Sequence, residues 1–461
     1  MTQLQKQPDP PILPSPMVFG KLFNRLRGGN TPSLQPLPLE ALVATAPQNT
    51  PSTAERLRQA AESLLRREEM LDARNRLSGY RFTRSAGADE AAFLQALADV
   101  DVADFARRRQ ALVPISARAL MANAHVPLAA PGSIFLVDLN QEQLSPAEWR
   151  PLLEKIRAAG ARTGLRGLTA APEHAALLGL ADLAILSLND YELPQFQRLA
   201  RTLKQASPQL LLAADDVPTW PERRMCGSWN FDYCLGPFST LADSEEPEGQ
   251  LDNSRVVLME MLNLIRAEAD LADLGNVAKK DPGIALKVLA LANSPAAGLA
   301  APVASLEQAI MVLGRQRLYR WLTVAMFRVG TPRDRDEALL EVAMTRARFM
   351  ETVADGVLEK KECDELFLVG LLSLFDVLLN MPLSKVLELI NLAEDVNTVL
   401  LRSEGPYARF LQLALAVERG RAEQAADLAL SLGIDPASLT PTSLMALAWA
   451  EEALGNSTAD L

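Results

Sequence analysis

The stretch KKDPGIALKVLALANSPAAGL (Lys279–Leu299), followed by ASLEQAIMVLGRQRLYRWL (Ala304–Leu322), decides how the second half of this chain folds. Asp281 offers a side-chain oxygen to the unpaired N–H groups of a helix start. Pro282, which has no N–H to lose, stands at the first helical position. Leu286, Leu289 and Ala290 then form an apolar stripe, with Asn293 on the same face. Ser305 and Gln308 repeat the capping pattern for a second helix. Asn293 is expected to cap or hydrogen-bond a neighbouring helix, and Trp321, within Leu318–Phe327, reads as core and not as a recognition platform. From Asn253 onward strand signals vanish and nearly everything has helical period, so this half reads as an all-α bundle.

Upstream, DSEEPEGQLD (Asp243–Asp252) has neither alternation nor helical period, and its charges and Pro247 mark an acidic linker over residues 241–252. Residues 55–240 alternate short apolar runs with helical patterns, which predicts an α/β layer structure. The expected strands are Gly79–Thr83, Leu112–Ser116, Ile134–Leu139, Thr163–Leu168, Leu183–Leu188, Leu210–Ala214 and Tyr233–Phe238. One helix is strongly marked, with Ser145 as N-cap, Pro146 at the first position, Glu148 completing a capping box and Gly160 at the stop. Its buried stripe is Trp149, Leu152, Leu153 and Ile156. Residues 1–52 are rich in Pro, Gln, Ser and Thr and read as a disordered tail. Within it, MVFGKLFNRLRG (Met17–Gly28) puts Phe19, Leu22, Phe23 and Leu26 on one helical face, with Lys21, Arg25 and Arg27 off it. Segment 17–28 is expected to fold only against something apolar: a partner groove, the protein's own domains or an anionic membrane surface.

A chain of 461 residues, 49% hydrophobic, can bury more than one core, and a formal charge of -11 argues against nucleic acid as a partner. Cys226, Cys234 and Cys363 have no short zinc or redox spacing and read as reduced, buried cytoplasmic thiols. The start of the chain lacks the pattern of a signal peptide. The most apolar run, Leu366–Leu379, is interrupted by Gly370, Ser373 and Asp376 and reads as a buried helix, not a membrane span. A cytoplasmic protein without an integral membrane segment is therefore expected. The two histidines, His125 and His174, lie in no metal-ligand spacing, and no phosphate loop, GxSxG elbow or HExxH motif occurs. No metal and no cofactor is expected.

The spacing of DPG, LANS, S-x-x-QAI-x-x-LG and RW within Lys279–Leu322 resembles the HDOD family, over about Asn253 to Glu451, giving an HDOD domain at 253–451. Where HD-type phosphohydrolases have a histidine-aspartate pair after Gly-Leu-Leu, this chain has Ser373 and Leu374. Neither can hold a metal or generate hydroxide, so the resemblance implies a dead site.

The preceding domain resembles a degenerate EAL domain, the cyclic di-GMP phosphodiesterase fold, with Gly79-Tyr80 opening its first strand. GARTGLRGL stands where that family has its aspartate pair, and FDYCLGPF where it has its glutamine-glycine signature. The resemblance places Arg81 at the naming glutamate, Pro114 at an asparagine and Val137 at a metal-binding glutamate. It places Arg166 and Gly167 at the aspartate pair, Ile185 at the lysine, Asp215 at one glutamate, Pro218 at the next, and Leu235 at the glutamine before Gly236. A site with one carboxylate and two added arginines would repel a divalent cation. Arg81 and Arg166 either grip a nucleotide phosphate or, as expected here, pair with nearby carboxylates.

The fold class is thus α/β plus all-α: a degenerate EAL-type, TIM-like α/β barrel followed by an HDOD helical bundle. The barrel region is about 185 residues against roughly 250 for a typical eight-stranded barrel, so a reduced or opened barrel stays open as an alternative. The expected function is that of a catalytically inactive regulatory protein that binds an unnamed protein partner through its HDOD domain. The alternatives are a sensor that binds cyclic di-GMP or another nucleotide in the degenerate pocket without cleaving it, and an enzyme with an unrecognised site.

Overall fold

In a computed structural model, which describes residues 64–84, 89–142, 144–246, 251–294, 302–329 and 333–459, eight strands close into a barrel in sequence order. They are β1 (Leu65–Asp72), β2 (Leu77–Arg84), β3 (Gln110–Pro114), β4 (Ser133–Asp138), β5 (Arg162–Arg166), β6 (Leu183–Ser187), β7 (Leu211–Asp215) and β8 (Tyr233–Leu235). The alternative of a reduced or opened barrel is corrected: β1 runs antiparallel to both β2 and β8 and seals the sheet, with Met70 opposite Leu235. The remaining neighbours are parallel. Gly79-Tyr80 therefore belongs to the second strand and not the first. The tail 1–52, its 17–28 segment and residues 247–250 of the linker lie outside the described residues.

The helices around the barrel are α1 (Glu90–Asp99), α2 (Val102–Arg108), α3 (Ala117–Met121), α4 (Pro146–Ala158), α5 (Ala175–Leu178), α6 (Leu193–Ala206) and α7 (Trp220–Ser228). The capping box of α4 forms as its sequence predicts, and Trp149, Leu152, Leu153 and Ile156 are its buried face. Side chains alternate along each strand. Met70, Leu112, Ile134, Ile185, Ala213 and Leu235 fill the barrel interior, while Phe135, Val137, Leu165 and Ala184 point outward under the helices.

The second half is helical throughout the described residues. It comprises α8 (Asn253–Arg266), α9 (Leu271–Ala278), α10 (Pro282–Ala292), α11 (Leu306–Leu313), α12 (Arg315–Ala325) and α13 (Asp334–Ala354). It continues with α14 (Lys360–Leu372), α15 (Phe375–Leu379), α16 (Leu383–Leu387), α17 (Glu394–Arg402), α18 (Ala408–Glu418), α19 (Ala422–Ser431) and α20 (Leu439–Ala459). Asp281 accepts from the N–H groups of Gly283 and Ile284, and Ser305 from that of Gln308, so both expected caps form. The stripe expected on α10 is corrected: its buried residues are Ile284, Val288 and Ala292, and Leu286 is 68% exposed. Asn293 clasps the backbone of Val303 with both ends of its amide. All three cysteines are buried, and no helix among the described residues is long and apolar enough to cross a membrane.

Barrel and helical half belong to one compact unit, Ser52–Leu461. The β1–β2 hairpin has no helix of its own between its strands, and α13, α18 and α20 cover that flank. The Leu65 N–H donates to Thr440 Oγ1, Tyr80 donates to the fully buried Glu341, and Ala338, Leu444 and Leu447 complete the core beneath the barrel's outer surface. The linker is part of this seam: Glu246 pairs with Arg333 at 3.0 Å and Arg335 at 2.6 Å.

Candidate functional site

In a parallel barrel, reactive side chains gather where strands end, because the loops there converge over the interior. At that mouth Arg81 on β2, Arg166 at the end of β5 and Asp215 at the end of β7 meet, joined by Glu68 from β1. Arg81 Nε donates to Glu68 Oε2 at 3.1 Å and Arg81 Nη1 to Asp215 Oδ2 at 2.5 Å, while Arg166 Nη2 reaches the same Asp215 oxygen. Burial works against the charge of Arg81, yet the flanking Glu68 and Asp215 carboxylates hold its guanidinium above the ordinary arginine range. Asp215 is 1% exposed. Both its oxygens are engaged, since Oδ1 accepts the Asp216 N–H. The pairing expected for the two arginines is what the geometry holds.

Above the cluster lies a cavity of 230 Å³, lined by Arg81, Arg84, Pro114, Asp138, Glu142 and Arg166 among others. The other sequence-assigned positions scatter. Ile185 and Leu235 lie in the barrel interior as packing. Pro218 is exposed in the loop after β7. Gly167 follows β5 at φ +80, a left-handed conformation that favours glycine, with the Asn140 side chain 2.6 Å from where a Cβ would stand. Val137 faces the helices, and the neighbouring residue that faces the mouth is Asp138, because successive residues along a strand point to opposite faces. The mouth holds more than the one carboxylate expected: Glu68 joins Asp215 in the cluster, and Glu90, Asp138 and Glu142 line the cavity above it. Sequence reading missed Glu68 because it missed β1.

In the helical half, Ser373 ends α14 and Leu374 is buried in the core. The Ser373 hydroxyl donates to the Gly370 carbonyl and accepts from Arg346 Nη1, each at 2.7 Å. Arg346, fully inside, also pairs with Glu418 at 2.7 Å; burial opposes its charge, but that carboxylate holds the guanidinium above its usual range. Neither histidine joins a cluster. His125 is buried edge-on to Phe135, and His174 Nδ1 accepts the Thr169 N–H. Among the described residues no group of three or more His, Cys, Asp or Glu is arranged to hold a metal ion.

These features define a closed α/β barrel, with an ion-pair cluster at its mouth, joined to a helical domain. Residues 253–399 match the HDOD domain model, and in this chain that domain follows a closed eight-stranded barrel. It is similar to the cyclic di-GMP phosphodiesterase CdgJ of Vibrio cholerae, 24% identical over 43% of this chain and 46% of the relative. It is also similar to the uncharacterized protein YuxH of Bacillus subtilis, 23% identical over 41% and 46%. The chain spans about half the length of the curated relatives it matches. Among solved structures it is similar to the FimX EAL domain of Xanthomonas citri in complex with c-diGMP, at 15% identity and TM-score 0.29, covering 40% of this chain and 90% of that one. An EAL domain protein of Listeria monocytogenes gives 14%, 0.29, 41% and 92%.

Proposed function

We propose that this protein is a catalytically inactive, cytoplasmic regulator that acts by binding a protein partner through its HDOD domain. The observation that carries this reading is the Glu68–Arg81–Asp215–Arg166 cluster at the barrel mouth. Two-metal phosphodiester hydrolysis needs carboxylates free to hold cations and to position a hydroxide. Here the two carboxylates of the cluster, Glu68 and Asp215, are already engaged by guanidinium groups, which cannot lose their charge or activate water. Arg346 occupies the neighbourhood of Ser373 in the same way. With both candidate centres filled by fixed cations, the chain's use lies in its surfaces.

The test is turnover of cyclic di-GMP by the purified full chain with Mg²⁺ or Mn²⁺. No hydrolysis above buffer is expected. Metal-dependent hydrolysis that disappears in Asp215→Ala would overturn the proposal.

A second reading has one observation in its favour: the Arg166 side chain is 27% exposed and lines the mouth cavity. On that reading the mouth binds cyclic di-GMP without cleaving it. Calorimetry separates the two, since heat with cyclic di-GMP that is lost in Arg166→Ala belongs to the sensor and no heat belongs to the adaptor.

A further inference from the structure

A cavity of 740 Å³ opens in the helical half between α10, α12, α14 and α20, and neither Ser373 nor Leu374 lines it. Its walls include Trp321, Trp449 and Phe367, and all four of its charged lining side chains are cationic: Lys287, Arg317, Arg320 and Arg328. The four do different things. Arg320 is structural, because Glu351 and Asp364 hold it at 2.9 Å and 3.1 Å while its guanidinium lies 3.7 Å from the Phe367 ring centroid. Arg317 is exposed and Lys287 half-buried, and neither makes an ion pair among the described residues. Burial holds the Arg328 guanidinium below the ordinary arginine range, despite the charge of Glu337. Trp449 is fixed by the edge of Phe367 at 6.1 Å and by Arg348 over its ring at 5.4 Å. Trp321 is half-buried and has no such ring partner among the described residues.

Aromatic walls with a purely cationic set of charges fit a ligand that is planar at one end and multiply anionic at the other. A fatty acid would use the apolar wall but only one cation. An acidic helix needs a long groove, whereas this volume lies within the range of small-molecule sites, about 300–1,000 Å³. We propose that the cavity is a binding site for a nucleotide, its base against Trp321 and Trp449 and its phosphates at Lys287 and Arg317. This site is separate from the barrel mouth and does not rest on the mouth being inactive.

The test uses calorimetry and indole fluorescence on the full chain with ATP, GTP and cyclic di-GMP as probes, and inorganic phosphate and decanoate as controls. At least one nucleotide is expected to bind and quench fluorescence. Its affinity should fall tenfold or more in Trp321→Ala and in Arg317→Glu, and stay unchanged in Arg166→Ala. Arg317 is exposed, so Arg317→Glu should melt like the parent chain, and that variant keeps the test valid even where Trp321→Ala fails to fold. No nucleotide binding at millimolar concentration, binding of decanoate alone, or equal competition by phosphate would overturn the site. Binding that survives Arg317→Glu but is lost in Arg166→Ala would assign the nucleotide to the barrel mouth instead and overturn it too.

Discussion

Arg81 is the side chain on which the barrel mouth depends, because it alone bridges Glu68 and Asp215. A buried ion pair contributes little net stability when intact, but removing one partner strands the other charge away from water. Arg81→Met leaves Glu68, side chain 7% exposed, to the half-exposed Arg66, and Asp215, 1% exposed, to Arg166 alone. The expected loss is about 3–5 kcal/mol in urea unfolding. The triple variant Glu68→Leu, Arg81→Met, Asp215→Leu should recover most of it, and an Arg81→Met protein as stable as the parent would show the cluster to be incidental. Part of this site was legible in the sequence. Arg81 and Arg166 stood out because their residue types contradict metal chemistry at matched positions, and Asp215 because it is the carboxylate retained at one of them. Glu68 did not, because LRREEMLD in β1 lacks the alternation that marks a strand. The partner that draws Glu68 into the site, Arg81, sits on the neighbouring strand, which no local pattern records. At Val137 the resemblance names a strand but not which of its side chains face the mouth; that is set by register, and Asp138 is the residue that lines the cavity.

Among the elements, α4 shows when local sequence suffices and α10 when it does not. The polar and apolar faces of α4 differ, so one buried stripe was readable. In α10, PGIALKVLALA, apolar residues surround the helix, and only packing against α9 and α11 selects Ile284, Val288 and Ala292. Leu286→Ala should therefore change stability by no more than about 0.5 kcal/mol, as for an exposed site. A loss of 2–5 kcal/mol, the usual range for a buried leucine, would restore the stripe read from sequence. The crossing of α13 and α14 turns on Gly370, where a Cβ would stand 2.5 Å from Ala347 Cα, closer than any real contact. Gly370→Ala must push the two helices apart and is expected to cost about 1–3 kcal/mol in thermal or urea unfolding. Unchanged stability would mean that the helices separate freely.

For the whole molecule, the seam between barrel and helices is the feature that composition concealed, since an acidic linker reads as a divider while its Glu246 serves as a clasp. The seam also carries a titration. Arg109 approaches Glu341 at 3.0 Å and Glu451 at 3.6 Å, and Arg108 lies 3.8 Å from Glu451. Burial first, and then the neighbouring Glu341 charge, push the Glu451 carboxyl up to about 7 against the pull of Arg109 and Arg108. Glu341 is shifted upward as well, again by burial first. Unfolding returns Glu451 to about 4.5, so between these values the folded chain binds the proton that the unfolded chain releases. The resulting stabilisation is complete below about pH 4.5 and is lost as pH rises through about 7. Glu351, which Arg320 and its neighbours hold at about 2 against burial, titrates below this window and does not offset it. The urea midpoint of the full chain should therefore fall between about pH 5 and about pH 8. Glu451→Gln, which keeps the shape of the side chain without its titration, should flatten that slope while leaving the low-pH midpoint nearly unchanged. A midpoint that rises with pH across this range, or a slope unaltered in Glu451→Gln, would place the proton elsewhere than at the seam.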